Sequence, residues 1–165
     1  MRRFRRLADG LVQLRLPETE QQVLASVLPQ LWVVLDGGDE VEHLRGRLFP
    51  PAYDDPQLER EFRELVGDDL AEQRRVALDE VLTSLEGGRL RGRTWIVDLD
   101  DERVQAWLAV LHDLRLVLAQ AIGIESEADW SRDPEEAEPT ELLLWHVGAL
   151  QEDLLDVLLH DLEGG

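Results

Sequence analysis

The sequence predicts a mostly α-helical domain with a small antiparallel β-sheet (α+β): a helical bundle of about five helices plus an N-terminal β-hairpin. Three observations predict it. Leucine leads with 32 copies against 15 Val and 3 Ile, and leucine is a strong helix former whereas β-branched residues favour strands. Beyond the opening, apolar residues recur at spacings of three and four, which lines one face of a helix. The first sixteen residues instead alternate apolar and polar around an Asp-Gly pair, as a hairpin does. With 165 residues, 44% hydrophobic and 32% charged, the chain suits one domain spanning 1–165, large enough to bury a core.

Residues 1–16 read as the hairpin. Phe4 to Leu7 and Leu11 to Leu16 flank Ala8-Asp9-Gly10, and Val12, Leu14 and Leu16 alternate with Gln13 and Arg15. Pro17 stands where a first helical residue belongs, followed by the acidic Glu18 and Glu20, which suit a helix N-terminus. Leu24, Val27 or Leu28, Leu31 and Leu35 carry the helical period to Asp36, and Pro29 should kink or split it.

Residues 39–55 form a connection containing Phe49-Pro50-Pro51-Ala52-Tyr53, expected to be extended and laid on the core. Asp54-Asp55-Pro56 opens the next helix. Gly67 and the box-like Asp69-Leu70-Ala71-Glu72 predict a break and a fresh start before the run to Gly87-Gly88. Gly87 to Arg93 reads as a basic loop, ahead of a third strand near 93–98 that joins the hairpin. Asp98 or Asp100 caps the clearest helix, whose stripe of Val104, Trp107, Leu108, Leu111, Leu114, Leu118 and Ile122 ends at Gly123. The helices and third strand thus occupy 17–123, an acidic loop 124–138, and a final helix 139–162. That last helix begins with Leu142-Leu143-Leu144-Trp145, apolar all round, which predicts a central core position or a subunit interface.

Composition excludes several classes of function. With no Cys, disulfides, thiolate nucleophiles and cysteine-bound metals are ruled out. No apolar run approaches the ~20 residues that span a bilayer, and the Arg-rich start lacks the apolar stretch of a secretory signal. No membrane association and a cytoplasmic location are expected. The 17 basic residues are all Arg and the net charge is −19, which favours solubility and disfavours nucleic acid. The charge is uneven: four Arg lie in the first six residues, while 125–165 hold thirteen acids and one Arg. The two ends have the charges to attract each other, but two separate solvated faces are the expected arrangement.

Motifs for chemistry are thin. Glu40 and His43 make one Glu-x-x-His spacing, where a di-iron bundle needs two on facing helices. Asp156 and His160 share a helix face, read as an exposed pair near a helix end. His112 and Asp113 sit mid-helix beside Arg115, at the border of an apolar stripe, and His146 is read as a core-edge histidine. Arg89, Arg91 and Arg93 between glycines resemble a phosphate cradle only loosely. Neither a nucleophile elbow nor a phosphate-binding glycine motif is present. No catalytic, cofactor-binding or metal residues are therefore assigned, and no cofactor is expected.

Two segments carry a family resemblance. Arg47-Leu48-Phe49-Pro50-Pro51-Ala52-Tyr53 before an acidic helix start, and Trp107-Leu108-Ala109-Val110-Leu111-His112-Asp113-Leu114-Arg115-Leu116-Val117-Leu118, together with the Arg-rich opening, resemble an actinobacterial domain-of-unknown-function family ("DUF twenty-seventeen"). The resemblance covers nearly the whole chain. It implies a cytoplasmic protein with a regulatory role, often encoded near the Clp protease adaptor, and supplies no catalytic residues. The family often has Asn where this chain has His112. Cysteine-based redox sensing in relatives does not transfer here.

The expected function is that of a non-enzymatic cytoplasmic regulatory or adaptor protein acting through protein–protein contacts, and a homodimer through the last helix. The alternative is a DNA-associated transcriptional regulator with Arg2, Arg3, Arg5 and Arg6 as phosphate contacts, which the net charge opposes. A third reading is a small-molecule or metal-binding enzyme. Candidate interaction residues are those four arginines with Phe49, Tyr53, His112, Asp113, Arg115 and Trp145. Arg115 is expected to hold the Phe49–Tyr53 segment.

Overall fold

A four-stranded antiparallel sheet anchors the molecule, with strand order β1-β2-β4-β3. The structure, a computed structural model, describes residues 2–36, 54–121 and 139–164. Phe49, Tyr53, Glu40, His43 and the expected acidic loop at 124–138 lie outside the described residues.

The predicted hairpin forms from β1 (Phe4–Arg6) and β2 (Val12–Pro17), with Phe4 opposite Leu14 and Arg6 opposite Val12. Gly10 donates its N–H to the Leu7 carbonyl at 3.0 Å, and Leu7 donates to the Leu11 carbonyl at 2.8 Å. The turn needs a left-handed residue to rejoin the strands, and Gly10 supplies it with φ of 92°. Pro17 is corrected: it ends β2 opposite Thr94, in extended geometry (φ −52°, ψ 141°), and α1 (Glu18–Val27) starts one residue later. Proline's fixed φ suits either state, so the strand register decides.

Pro29 splits the next helical run as expected. A 3₁₀ turn (Leu28–Gln30) carries it, and α2 (Leu31–Asp36) follows. The break predicted at Gly67 does not occur, because α3 runs unbroken over Pro56–Gly87. One glycine costs a helix only about 1 kcal/mol, which the long packing of α3 on α4 outweighs. Its start is capped as predicted, Asp55 accepting the Gln57 N–H at 2.8 Å with Pro56 in the first turn.

The basic stretch after Gly88 is a strand rather than a loop. β3 (Arg89–Arg91) pairs antiparallel with β4 (Thr94–Leu99) through a two-residue turn at Gly92 and Arg93, where Gly92 takes φ of 62°. β4 is the expected third strand and pairs with β2, Leu14 opposite Val97 and Leu16 opposite Trp95. Asp100, not Asp98, caps α4 (Asp101–Ala121), accepting the Arg103 N–H at 2.9 Å. α5 (Pro139–Gly164) closes the chain. Five α-helices and four strands among the described residues make the α+β class plain.

One core joins these elements. Val12, Leu14, Leu16, Val97 and Leu99 from one sheet face meet Leu24 and Leu28, Leu78 and Val81, the α4 stripe, and Leu144, Val147, Leu150 and Leu154 of α5. Trp107 is fully buried and meets Phe4 edge-to-face, ring centres 6.5 Å apart. Each buried leucine contributes on the order of 2 kcal/mol by leaving water, so α5, the last helix in sequence, is integral to the core.

Candidate functional site

Strand alternation sends every second side chain of the sheet away from the core. On β1 and β2 these are Arg5, Gln13 and Arg15; on β4 and β3 they are Ile96, Asp98, Arg89 and Arg91. The register aligns them in rows. Arg15 stands opposite Ile96, which stands opposite Arg89, and Arg15 donates its backbone N–H to the Arg3 carbonyl at 2.8 Å. The next row runs Arg5, Gln13, Asp98. Ile96 is buried although it points from the core, as expected where long arginine stems flank an apolar side chain.

A polar relay spans this face. Arg5 donates to Gln13 Oε1 at 3.3 Å, Gln13 donates to Asp98 Oδ1 at 3.2 Å, and Arg89 reaches Asp98 Oδ2 at 3.9 Å. Asp98 is the one carboxylate in these rows. Arg15 and Arg91 are exposed and have no carboxylate partner among the described residues. The result is a cationic sheet face on a chain of net charge −19. It continues around β1 into a recess of about 370 Å³, where Arg2, Arg5, Arg15 and His160 surround Phe4 and Val157.

A second cluster ties the chain start to α1 and α5. The Arg3 guanidinium grips Glu20 in two contacts, 3.1 and 2.7 Å. His146 Nε2 stands 3.5 Å from the same carboxylate. Asp153 Oδ2 accepts the backbone N–H groups of Arg3 and Phe4 at 2.7 and 2.8 Å. The chain start and the last helix are therefore joined through backbone N–H groups, rather than standing apart as two solvated faces, while the Arg3 guanidinium itself pairs with Glu20 of α1. Carboxylates placed next to unpaired strand N–H groups win over bulk water.

A third cluster lies between helices. Asp113 of α4 is buried, with Oδ1 3.1 Å from Arg74 Nη1 of α3 but out of line for a hydrogen bond. Burial pushes its carboxyl up to about 6, against the opposing pull of Arg74. His112 beside it is exposed on the helix surface, and its imidazole is held below the usual value by partial desolvation, then by the Arg74 and Arg115 charges. Arg115 donates to Gln151 of α5 at 3.3 Å, and a Cβ on Gly148 would come within 4.0 Å of its Nε.

The predicted residues thus divide. Arg5 lies on the cationic face and Arg2 borders the recess beside it. Arg3 lies just ahead of β1 and is held by Glu20 of α1, and Arg6 turns back to the Gly10 carbonyl at 2.7 Å and to Asp101 at 3.9 Å. His112, Asp113 and Arg115 belong to the interhelical cluster, and Trp145 is half-buried on α5. Sequence reasoning missed the roles of Arg15, Arg89 and Arg91 as one surface. The signal was present in the alternation of Arg15 with Leu14 and Leu16, and in the Arg-x-Arg spacing at 89 and 91.

Chemically, the sheet face can bind carboxylates or phosphates through guanidinium groups held on strands. Among the described residues no three His, Asp or Glu side chains converge as a metal site requires. No described helix is long and apolar enough to cross a membrane. A separate recess of about 490 Å³ between α2, α4 and α5, lined by Leu31, Val34, Leu114, Leu118 and Leu143 with Gln30 and Thr140, is mainly apolar. A family model described as "Domain of unknown function (DUF2017)" matches residues 1–158. No curated protein matches the chain, and no solved structure does.

Proposed function

Because the chain belongs to the DUF2017 family, whose description assigns no activity, we propose its function from its own surface: a non-enzymatic cytoplasmic regulatory or adaptor protein that acts through protein–protein contacts. One observation supports this reading. Arg5, Arg15, Arg89 and Arg91 share the outer sheet face of a strongly acidic chain. Strands fix their spacing, so the cations are presented as a pattern.

The partner of such a face is an acidic protein segment. At physiological salt, charges separated by more than about 8 Å are screened, so a short carboxylate-bearing segment feels the local arginines. A long polyanion also meets the negative field of the rest of the molecule. The second reading, a DNA-associated regulator, takes Arg2, Arg3, Arg5 and Arg6 as phosphate contacts, but Arg3 and Arg6 are already engaged with Glu20 and Asp101.

The two readings separate in a fluorescence anisotropy titration with labelled polyglutamate and labelled duplex DNA. The fourfold variant R5E/R15E/R89E/R91E serves as control. Polyglutamate binding that the variant loses, with weak duplex binding, supports the adaptor. Duplex binding that falls steeply with salt favours the DNA reading. Absence of binding to either probe removes the observation on which the adaptor rests.

Self-association through α5 belongs to the same proposal. Leu155 and Leu159 lie one turn apart on that helix and are 37% and 55% exposed. A contiguous apolar strip of this kind suits a symmetric helix–helix contact.

A further inference from the structure

The two outer edges of the sheet are finished differently. At β1, Asp153 of α5 accepts the N–H groups of Arg3 and Phe4. At β3, the last strand in the order, all three residues are exposed and no described strand pairs with the far side. An edge with unpaired N–H and C=O groups is a template for another strand.

We propose that the β3 edge accepts an extended acidic segment of a partner protein as a fifth strand. The segment alternates acid, apolar, acid: carboxylates opposite Arg89 and Arg91 on the outer face, and the apolar residue beside Leu90 on the other. This rests on the reading of the arginine face given above and names how the partner is held.

Three features select that occupant. Arg91 has no carboxylate partner among the described residues, and Arg89 reaches Asp98 only at 3.9 Å while 51% exposed. Both therefore keep donors for an incoming carboxylate. Leu90 between them is 53% exposed and offers an apolar contact on the opposite face. A second copy of β3 is the wrong partner, because pairing two such strands sets arginine against arginine, and like charges directly opposite are destabilising. Main-chain bonds then supply affinity while the alternating side chains supply specificity. The tight turn at Gly92 and Arg93 holds β3 to β4 in a fixed register, so the edge is formed before a partner arrives. A short, charged edge strand that serves only to prevent aggregation would bind no peptide at all.

The test is anisotropy with labelled peptides on the full chain. The probes are an alternating Glu-Val-Glu-Val-Glu peptide, the same peptide N-methylated at alternate amides along either edge, and a block peptide of the same composition. The alternating peptide should bind, and either the block order or methylation of the docking edge should weaken it. R89E/R91E, whose fold is checked by circular dichroism, should weaken it about tenfold, as two cross-strand ion pairs predict. A Lys-Val-Lys-Val-Lys peptide should bind R89E/R91E better than the parent. Equal binding of the alternating, block and methylated peptides overturns strand addition, and so does acidic-peptide binding that survives R89E/R91E but is lost in R5E/R15E/R89E/R91E; both leave the arginine face standing. Failure of every acidic peptide and of polyglutamate overturns the face itself.

Discussion

Asp153 near the chain's end holds the backbone of Arg3 near its start: one carboxylate oxygen accepts the Arg3 N–H at 2.7 Å and that of Phe4 at 2.8 Å. These N–H groups lie at the outer edge of β1, where α5 packs. The last helix therefore fixes the first strand, and with it one side of the cationic face.

Asp153→Ala should cost on the order of 2 kcal/mol, as loss of charge-assisted hydrogen bonds does. For a chain of this length that is a fall in Tm of roughly 4–8 °C. Hydrogen exchange should show the amides of Arg3 and Phe4 losing protection first. An unchanged melt with protected amides would mean that water replaces Asp153 at no cost.

Asp113 predicts a pH dependence. Burial raises its folded-state pKa from 3.8 to about 6, so the folded chain holds that proton more tightly than the unfolded one. The stability linked to it is fully present below the unfolded value and is lost as pH rises through about 6. Above that, the ionised Asp113 costs on the order of 2–3 kcal/mol. Asp113→Asn should therefore be more stable than the parent at about pH 8 and nearly equal to it at about pH 4. Arg74, about one-third exposed, stays hydrated without its partner. Parallel denaturation curves for the two chains across this range would refute the assignment.

A paired glycine test separates space from propensity. A Cβ on Gly88 would collide with the Trp95 indole, whereas one on Gly87 meets nothing within 4 Å. Trp95 is buried, so it cannot swing into solvent without loss. Gly88→Ala should cost about 1–3 kcal/mol through overpacking, read as a lower midpoint in urea. Gly87→Ala should be neutral or slightly stabilising.

Arg115→Ala removes the donor to Gln151, which is buried on α5. A buried polar group left without a partner costs about 1–3 kcal/mol, which predicts a Tm lower by several degrees. Arg115→Ala with Gln151→Leu should recover part of the loss. A double variant no better than the single one would place the role of Arg115 elsewhere.

Light scattering at micromolar concentration should give a dimer for the parent chain and a monomer for L155E/L159E. Those side chains are exposed on α5, so the variant should keep its fold. A monomeric parent removes the self-association proposal.

Much of the fold was legible because its signals are local. The Asp-Gly turn, the Pro56 start, the Asp100 cap and the leucine stripes each depend on neighbours a few residues apart. Errors arose where competing local signals were weak. Gly67 looks like a breaker until the whole of α3 packs against α4, and Arg89-Leu90-Arg91 looks like a loop until β4 offers it a partner strand. The candidate site was less legible. Arg5 and Arg15 were visible as basic residues, but their union with Arg89 and Arg91 depends on a register spanning more than eighty residues of sequence.

By itself the sequence determined the class: helices from leucine periodicity, a hairpin from alternation, and no thiol chemistry from a lack of cysteine. Only the tertiary structure decided which charges act together. Hydrophobic burial follows from each element's own pattern and needs no knowledge of its neighbours. Coulomb attraction and strand pairing depend on distance in space, so the grip of Asp153 on Arg3 and the row of Arg15, Ile96 and Arg89 exist only once the chain has closed on itself.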